Sequence, residues 1–270
     1  MKKIFLILIF LISFSNVFAI EKILEVGEEL SYKVYYHFIK LGQVDLKITD
    51  KVKENDYLVY SAIASIKTYE GVPFISLNYK FLTKMYFKNN EMYSIYFNST
   101  EFKKKSAEAK YNSLTISDYY FDHEDNFIKL VKQTDMQLER DDTLKFEKLP
   151  KFQDGLSVFY NARVGSLKPK PYRIPVYMNE EESNVNYSFN MNEDVVSIES
   201  VDYDISTIKI EGLALFKKAI FGLMGDFTGW LSKDDFRVPL KAQFNVVIGK
   251  ITMELSSYKK IGWKPPKYAN

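Results

Sequence analysis

The sequence predicts a mainly β protein: one large curved antiparallel sheet, or an open β-barrel, with one or two short helices. Three observations predict it. Apolar and polar residues alternate at period two along most of the chain. Turn residues interrupt that alternation at short intervals, and helical periodicity is scarce. Aromatic residues are abundant, with 20 Tyr and 21 Phe among 270 residues. They pack well on pleated surfaces, although the accompanying Lys, Ile and Asn also point to compositional bias.

The N-terminus reads as a secretory signal. Lys2 and Lys3 form a basic start, residues 4–14 are apolar apart from Ser13, and Val17-Phe18-Ala19 suits cleavage after Ala19. A retained N-terminal anchor is the alternative, but the apolar run is short of the roughly 20 residues a spanning helix needs. Residues 20–270 are then expected to form a single β-rich domain. Loss of Lys2 and Lys3 takes 37 basic residues to 35, against 35 acidic ones. This balance gives no electrostatic footprint for nucleic acid or an anionic membrane. With no cysteine, the chain has neither disulfides nor a lipoprotein-type attachment. The expectation is a protein released across the inner membrane without a stable anchor. It would be periplasmic, or secreted or surface-bound in a cell without an outer membrane.

Strand signals begin with Tyr32, Val34, Tyr36 and Phe38 on one face and His37 on the other. Val44, Leu46 and Ile48 follow Gly42; Leu58, Tyr60, Ala62 and Ala64 alternate next. Leu77, Tyr79 and Phe81 follow a turn at Gly71-Val72-Pro73, and Tyr93, Ile95 and Phe97 follow one at Asn89-Asn90. Residues 103–111 have helical propensity between strand-like neighbours. Asp154 can cap a helix carrying Leu156, Phe159, Tyr160 and Arg163 at helical spacing. Residues 167–175, with three prolines, read as an extended connection.

Later alternations run through Val185, Tyr187 and Phe189, then Val196 and Ile198, then Ile208 and Ile210. Residues 213–221 are either a short helix or a strand entering a bend at Gly222 and Gly225. Lys233-Asp234-Asp235 reads as a hairpin turn between strands around Trp230 and Val238. A type II′ turn at Gly249-Lys250 would face Ile248 with Ile251 and Val246 with Met253. The tail from Trp263 to Pro266 is expected over the surface. Ten or more strands must curl or stack, because open sheets of that size rarely stay flat. A short helix can plug an open side.

Several segments resemble an exported bacterial family, domain of unknown function 3108. Gly27-Glu28, Leu30, Tyr32, Val34 and Gly42 resemble its opening strand and first turn. Asp154-Gly155-Leu156-Ser157, Phe159-Tyr160 and Arg163 resemble its helical segment. Trp230-Leu231-Ser232, Asp234, Arg237-Val238-Pro239, Ile248-Gly249 and Glu254-Leu255 resemble its closing strands. The resemblance implies a β-rich, secreted or periplasmic protein and transfers no catalytic residue. Residues 168–172 depart from the pattern.

The catalytic inventory is thin. His37 and His123 are the two histidines. Asp122-His123-Glu124-Asp125 reads as a solvated turn, with no second histidine at a ligating interval. Asp141-Asp142, Glu180-Glu181-Glu182 and Asp234-Asp235 read as solvated turns, since strand neighbours point to opposite faces. No phosphate loop, nucleophile elbow or metalloprotease motif is present. No cofactor, metal or catalytic residue is expected. The candidate ligand-binding residues are Asp154, Tyr160, Arg163 and Trp230. In that reading Arg163 faces a cavity and holds an anionic group such as a lipid headgroup or polymer carboxylate. In the competing one Asp154 caps the helix and Arg163 pairs with a strand carboxylate such as Asp234.

The leading functional expectation is a non-catalytic envelope protein that holds an apolar or amphipathic ligand, lipid included, in a barrel-like cavity. A structural or interaction protein with an envelope-protein partner is second, and a carboxylate-dependent envelope hydrolase third. An outer-membrane barrel fits less well, with short strands and no aromatic strand at the terminus.

Overall fold

A computed structural model describes residues 20–54, 57–73, 76–88, 91–104, 112–216, 225–246 and 249–269. The signal reading of residues 1–19, the Asn89-Asn90 turn and Gly222 lie outside them, as do most of the two alternatives at 103–111 and 213–221. Among the described residues, fourteen strands join one sheet. Strands β1 (Glu29–Tyr36), β2 (Ile39–Glu54), β3 (Tyr57–Thr68), β4 (Asn78–Lys88) and β5 (Glu91–Lys104) open a meander. It continues through β6 (Asn112–Asp122), β7 (Phe127–Thr134) and β8 (Gln137–Lys145). A helix, Ser157–Gly165, follows. A second meander runs through β9 (Tyr172–Met178), β10 (Glu181–Val196), β11 (Ile205–Ala214), β12 (Gly225–Ser232), β13 (Pro239–Asn245) and β14 (Lys250–Lys259). β14 pairs antiparallel with β1, so the order is β8 back to β1, then β14 back to β9.

The sheet curls into a barrel that is not closed by hydrogen bonds, because β8 and β9 are its two edges. Ion pairs from Lys132 of β7 and Arg140 of β8 to Glu180, in the loop after β9, cross the gap between the edges. A strap after β8 covers the free edge of β9. Gln153 donates its N–H to the Pro175 carbonyl at 2.9 Å and accepts from the Tyr177 N–H at 3.0 Å. The neighbouring Phe152 carbonyl accepts from the Ser94 N–H of β5 at 2.9 Å. This satisfies backbone groups an edge strand would leave open. The strap runs directly into the helix, whose first turn is built as a capping box. Asp154 Oδ1 accepts from the Ser157 N–H at 2.9 Å, and Ser157 Oγ accepts from the Asp154 N–H at 2.8 Å.

Period two explains the burial: Gly42, Val44, Leu46 and Ile48 of β2 are buried and their neighbours are not. Gly42 is required by close approach, since a Cβ there would meet the Lys67 carbonyl of β3. In the meanders every hairpin from an odd to the next even strand falls at the same end of the barrel. The opposite end is filled by a helical turn at 20–23, which buries Ile20, Ile23 and Leu24, and by Trp263.

Six local readings need correction. β1 ends at Tyr36; His37 and Phe38 are a two-residue loop, with His37 at φ 52° and Phe38 89% exposed. Asp141-Asp142 is no turn but part of β8, and of Glu180-Glu181-Glu182 only Glu180 lies in a turn. Glu181 and Glu182 begin β10. Residues 172–175, placed in an extended connection, begin β9; Pro175 is tolerated because β9 is an edge. At the last hairpin Phe244 faces Ile251 and Ala242 faces Met253. Ile248 lies outside the described residues; Lys250 already belongs to β14, so Gly249 (φ 83°) stands just before that strand instead of opening a Gly-Lys turn. The shift is even, so faces are preserved. The tail is held inward, with Trp263 buried and the Ser206 N–H donating to the Pro266 carbonyl at 2.8 Å.

Candidate functional site

Three elements meet at Glu28. Its carboxylate, just before β1, accepts a bidentate pair from Arg163 of the helix at 2.5 and 2.9 Å. Lys260, just after β14, donates to the same carboxylate at 2.6 Å. Arg163 also donates to the Arg237 carbonyl at 3.2 Å. Tyr160 lies under its guanidinium at 5.9 Å, and Tyr32 donates to the Pro239 carbonyl at 2.9 Å nearby. Burial alone would raise the Glu28 pKa, but the adjacent Arg163 and Lys260 hold it below the usual carboxylate range. Burial lowers that of Lys260 despite Glu28.

Asp154 is a second buried carboxylate, with no basic partner among the described residues. Thr83 Oγ1 of β4 and Ser94 Oγ of β5 each donate to Oδ2 at 2.6 Å. The N–H groups of Leu156 and Ser157 donate to Oδ1 at 2.7 and 2.9 Å. Burial outweighs these four neutral donors, and the Asp154 pKa is raised. His123 packs beside this cluster. Its Nε2 is 3.0 Å from the Ser94 carbonyl, its ring lies edge-on to Tyr93, and burial lowers its pKa. No group of three or more potential metal ligands occurs among the described residues.

Between the helix and the sheet lies a cavity of about 1030 Å³. Val44, Leu46, Ala64, Ile66, Phe81 and Phe97 line one side. Tyr187, Ile210, Phe227 and Phe244 line the other, and Val158, Phe159 and Ala162 present the helix to it. The cavity runs toward the end that carries the odd-to-even hairpins, where β5 to β8 contribute polar side chains.

The four candidate residues are placed as follows. Arg163 borders the cavity while its guanidinium is engaged by Glu28. Tyr160 is buried beside it and packs edge-on to Phe159. Trp230 borders the cavity from β12 and donates its indole N–H to Asp194 at 3.0 Å. Asp154 lies in its own cluster against β4 and β5, so the structure brings Tyr160 and Arg163 together and leaves the other two with different partners. Asp234 is not the partner of Arg163. It caps its own turn, accepting from the Phe236 N–H at 2.9 Å, and takes the Trp263 indole N–H at 2.8 Å. Sequence reasoning missed Thr83, Ser94 and Lys260, and saw Glu28 only beside the opening strand. The Asp-x-x-Ser spacing was available as a signal for the capping box; nothing local marks the other contacts.

No curated protein matches the sequence. Among solved structures, a β-barrel-like protein of domain of unknown function DUF1849 from Brucella abortus superposes with a TM-score of 0.53 at 9% identity. It covers 88% of this chain and 99% of its own. A Bacteroides fragilis protein with a YmcC-like fold gives a TM-score of 0.35 at 9% identity, over 87% and 97% of the two chains. The first likeness shows the fold, an open barrel. Residues 31–256 match the family described as protein of unknown function DUF3108, and the chain belongs to that family.

Proposed function

We propose that this chain is an exported, non-catalytic envelope protein that holds an apolar or amphipathic ligand inside its open barrel. One observation carries the reading: a cavity of about 1030 Å³ bordered mainly by aromatic and aliphatic side chains. Ligand pockets commonly occupy roughly 300–1,000 Å³ and are lined in this way. The two buried carboxylates favour binding over hydrolysis, because each is saturated by protein donors, whereas a glycosidase needs two acids facing across a groove. The signal-like N-terminus supports export. No helix among the described residues is long and apolar enough to cross a membrane.

The test is native mass spectrometry of protein purified from the envelope fraction, paired with displacement of a fluorescent apolar probe. A co-purifying amphiphile and saturable probe binding are expected. Ala242→Trp, at the cavity wall, should weaken probe binding by about tenfold or more while the thermal transition stays cooperative. Absence of saturable binding to the wild type would overturn the reading. N-terminal sequencing of the exported protein should begin at Ile20. An interaction role in envelope biogenesis is the second reading, favoured by the hairpin tips Phe38 and Met136, which are 89% and 93% exposed. Crosslinking in intact cells through those tips would capture an envelope partner if it holds.

A further inference from the structure

We infer that the cavity selects an amphiphile whose head group is uncharged and hydrogen-bonding, such as a hydroxylated one, over an anionic amphiphile. The inference rests on the binding reading above and specifies the ligand of that same site.

The cavity wall is two-faced. On the hairpin-end halves of β5, β6 and β7 the inward positions are polar, and the register stacks them side by side. Ser99 faces Ser117, Glu101 faces Thr115 and Lys103 faces Ser113 across the β5–β6 pair. Thr115 faces Thr134 and Ser117 faces Lys132 across the β6–β7 pair. All of them border the cavity. Across the opening stand Ile66 and Phe81 from one side and Phe227 and Phe244 from the other. An amphiphile whose chain follows the aromatic face places its head against β5 to β7.

Among the described residues the cations of this wall are already paired. Lys103 pairs with Glu101 at 3.1 Å. Lys132 pairs with Glu139 at 3.6 Å and with Glu180 at 4.0 Å. Among the described residues the other two cations bordering the cavity, Arg163 and Lys241, are held by Glu28 and by Glu254 at 3.1 Å. An anionic head would therefore have to displace a carboxylate, which cancels most of its electrostatic gain. The hydroxyls are in a different state. Thr115 and Thr134 bond each other at 3.0 Å. Ser99 and Ser117, a facing pair, meet no partner among the described residues, and each offers one donor and two acceptors to whatever enters. A head group that donates and accepts without net charge matches that inventory.

The experiment compares two probes with the same alkyl chain, dodecyl glucoside and dodecanoate, by titration calorimetry below their micelle-forming concentrations. Wild type should bind the glucoside more tightly. Ser99→Ala combined with Ser117→Ala should weaken glucoside binding by about tenfold and leave dodecanoate unchanged. Glu101→Gln, which frees Lys103, should strengthen dodecanoate binding by about threefold. Both variants are small changes on a cavity wall, and a cooperative thermal transition checks that they fold. Tighter binding of dodecanoate by wild type, or equal losses for both probes in the serine variant, would overturn the head-group inference and leave the binding reading standing. Failure of wild type to bind either probe would overturn both.

Discussion

Glu28 and Asp154 are both carboxylates sealed from water, 2% and 0% exposed, and the fold treats them in opposite ways. Glu28 is met by two cations from segments 135 and 232 residues away in sequence. Asp154 is met by two hydroxyls and two backbone N–H groups, two of them from its own helix turn. The difference follows from what each joins. Glu28 stands where β1 and β14 begin to pair, Glu29 facing Lys259, and its carboxylate ties the helix to that point, where no strand pairing reaches the helix. An ion cluster with fixed geometry can hold the helix against a strand pair to which it has no backbone ladder. Asp154 sits where the strap already lies against β5, so neutral donors suffice.

The largest expected effect comes from unbalancing the ion cluster. Arg163→Met leaves Glu28 buried with Lys260 alone and should cost about 3–5 kcal/mol of stability, measured by urea unfolding. Replacing the trio together, with Glu28→Leu, Arg163→Met and Lys260→Met, should recover most of that loss, because desolvation of the charges is avoided. A loss below about 1 kcal/mol for Arg163→Met would show that the cluster is not desolvated in solution. Asp154→Ala should come next, at about 2–4 kcal/mol, from a lost cap and stranded donors at Thr83 and Ser94. Asp154→Asn should cost about 1 kcal/mol, since Oδ1 still caps and the hydroxyls can turn to accept from the amide.

Acid should separate the two sites by sign. Glu28 is depressed below its ordinary 4.5, so its stabilisation is present above pH 4.5 and is lost as pH falls through its folded value. Asp154 is raised above 3.8, so its folded form prefers the proton. Its contribution is fully present below pH 3.8 and is lost as pH rises through its folded value. Unfolding free energies of wild type, Glu28→Gln and Asp154→Asn over a pH series test this. The deficit of Glu28→Gln should shrink as pH drops below 4.5. The deficit of Asp154→Asn should grow as pH drops toward 3.8. Parallel curves for the two variants would mean the sites do not differ as described.

The contrast also explains what the sequence could show. The helix was legible because its signal is local: Asp154 and Ser157 cap a turn whose apolar spacing follows within nine residues. Strands with one buried face, such as β2 and β3, were legible for the same reason. β8 was not, because eight of its nine residues are exposed and no alternation survives. One tight loop was hidden because it places ordinary residues, Asp135 and Met136, at positive φ, where glycine is the usual marker; the turn read at Glu180 was legible from its charges but is made by Asn179 and Glu180, also at positive φ. The partner of Arg163 was illegible in principle. Nothing in the order of residues distinguishes Glu28 from Asp234, and the choice was settled because Asp234 is consumed by its own turn and by Trp263.

The smallest expected effect sharpens the point about burial. Arg140 and Glu180 form an Arg–Glu pair of the same chemistry as Arg163 and Glu28, across the unbonded seam between β8 and the β9–β10 loop. Their side chains are 41% and 32% exposed, against 1% and 2% in the buried pair. Water and salt screen the outer pair, and Arg140 already holds Asp142 through Nε at 2.7 Å, so one lost partner leaves no stranded charge. Glu180→Gln should therefore leave the urea midpoint unchanged within error, at low and at high salt. Arg163→Met should lose stability to the same extent at both. If Glu180→Gln destabilised the protein as strongly as Arg163→Met, the seam would be a closed, desolvated joint, and the barrel would be held by its edges as firmly as by its core.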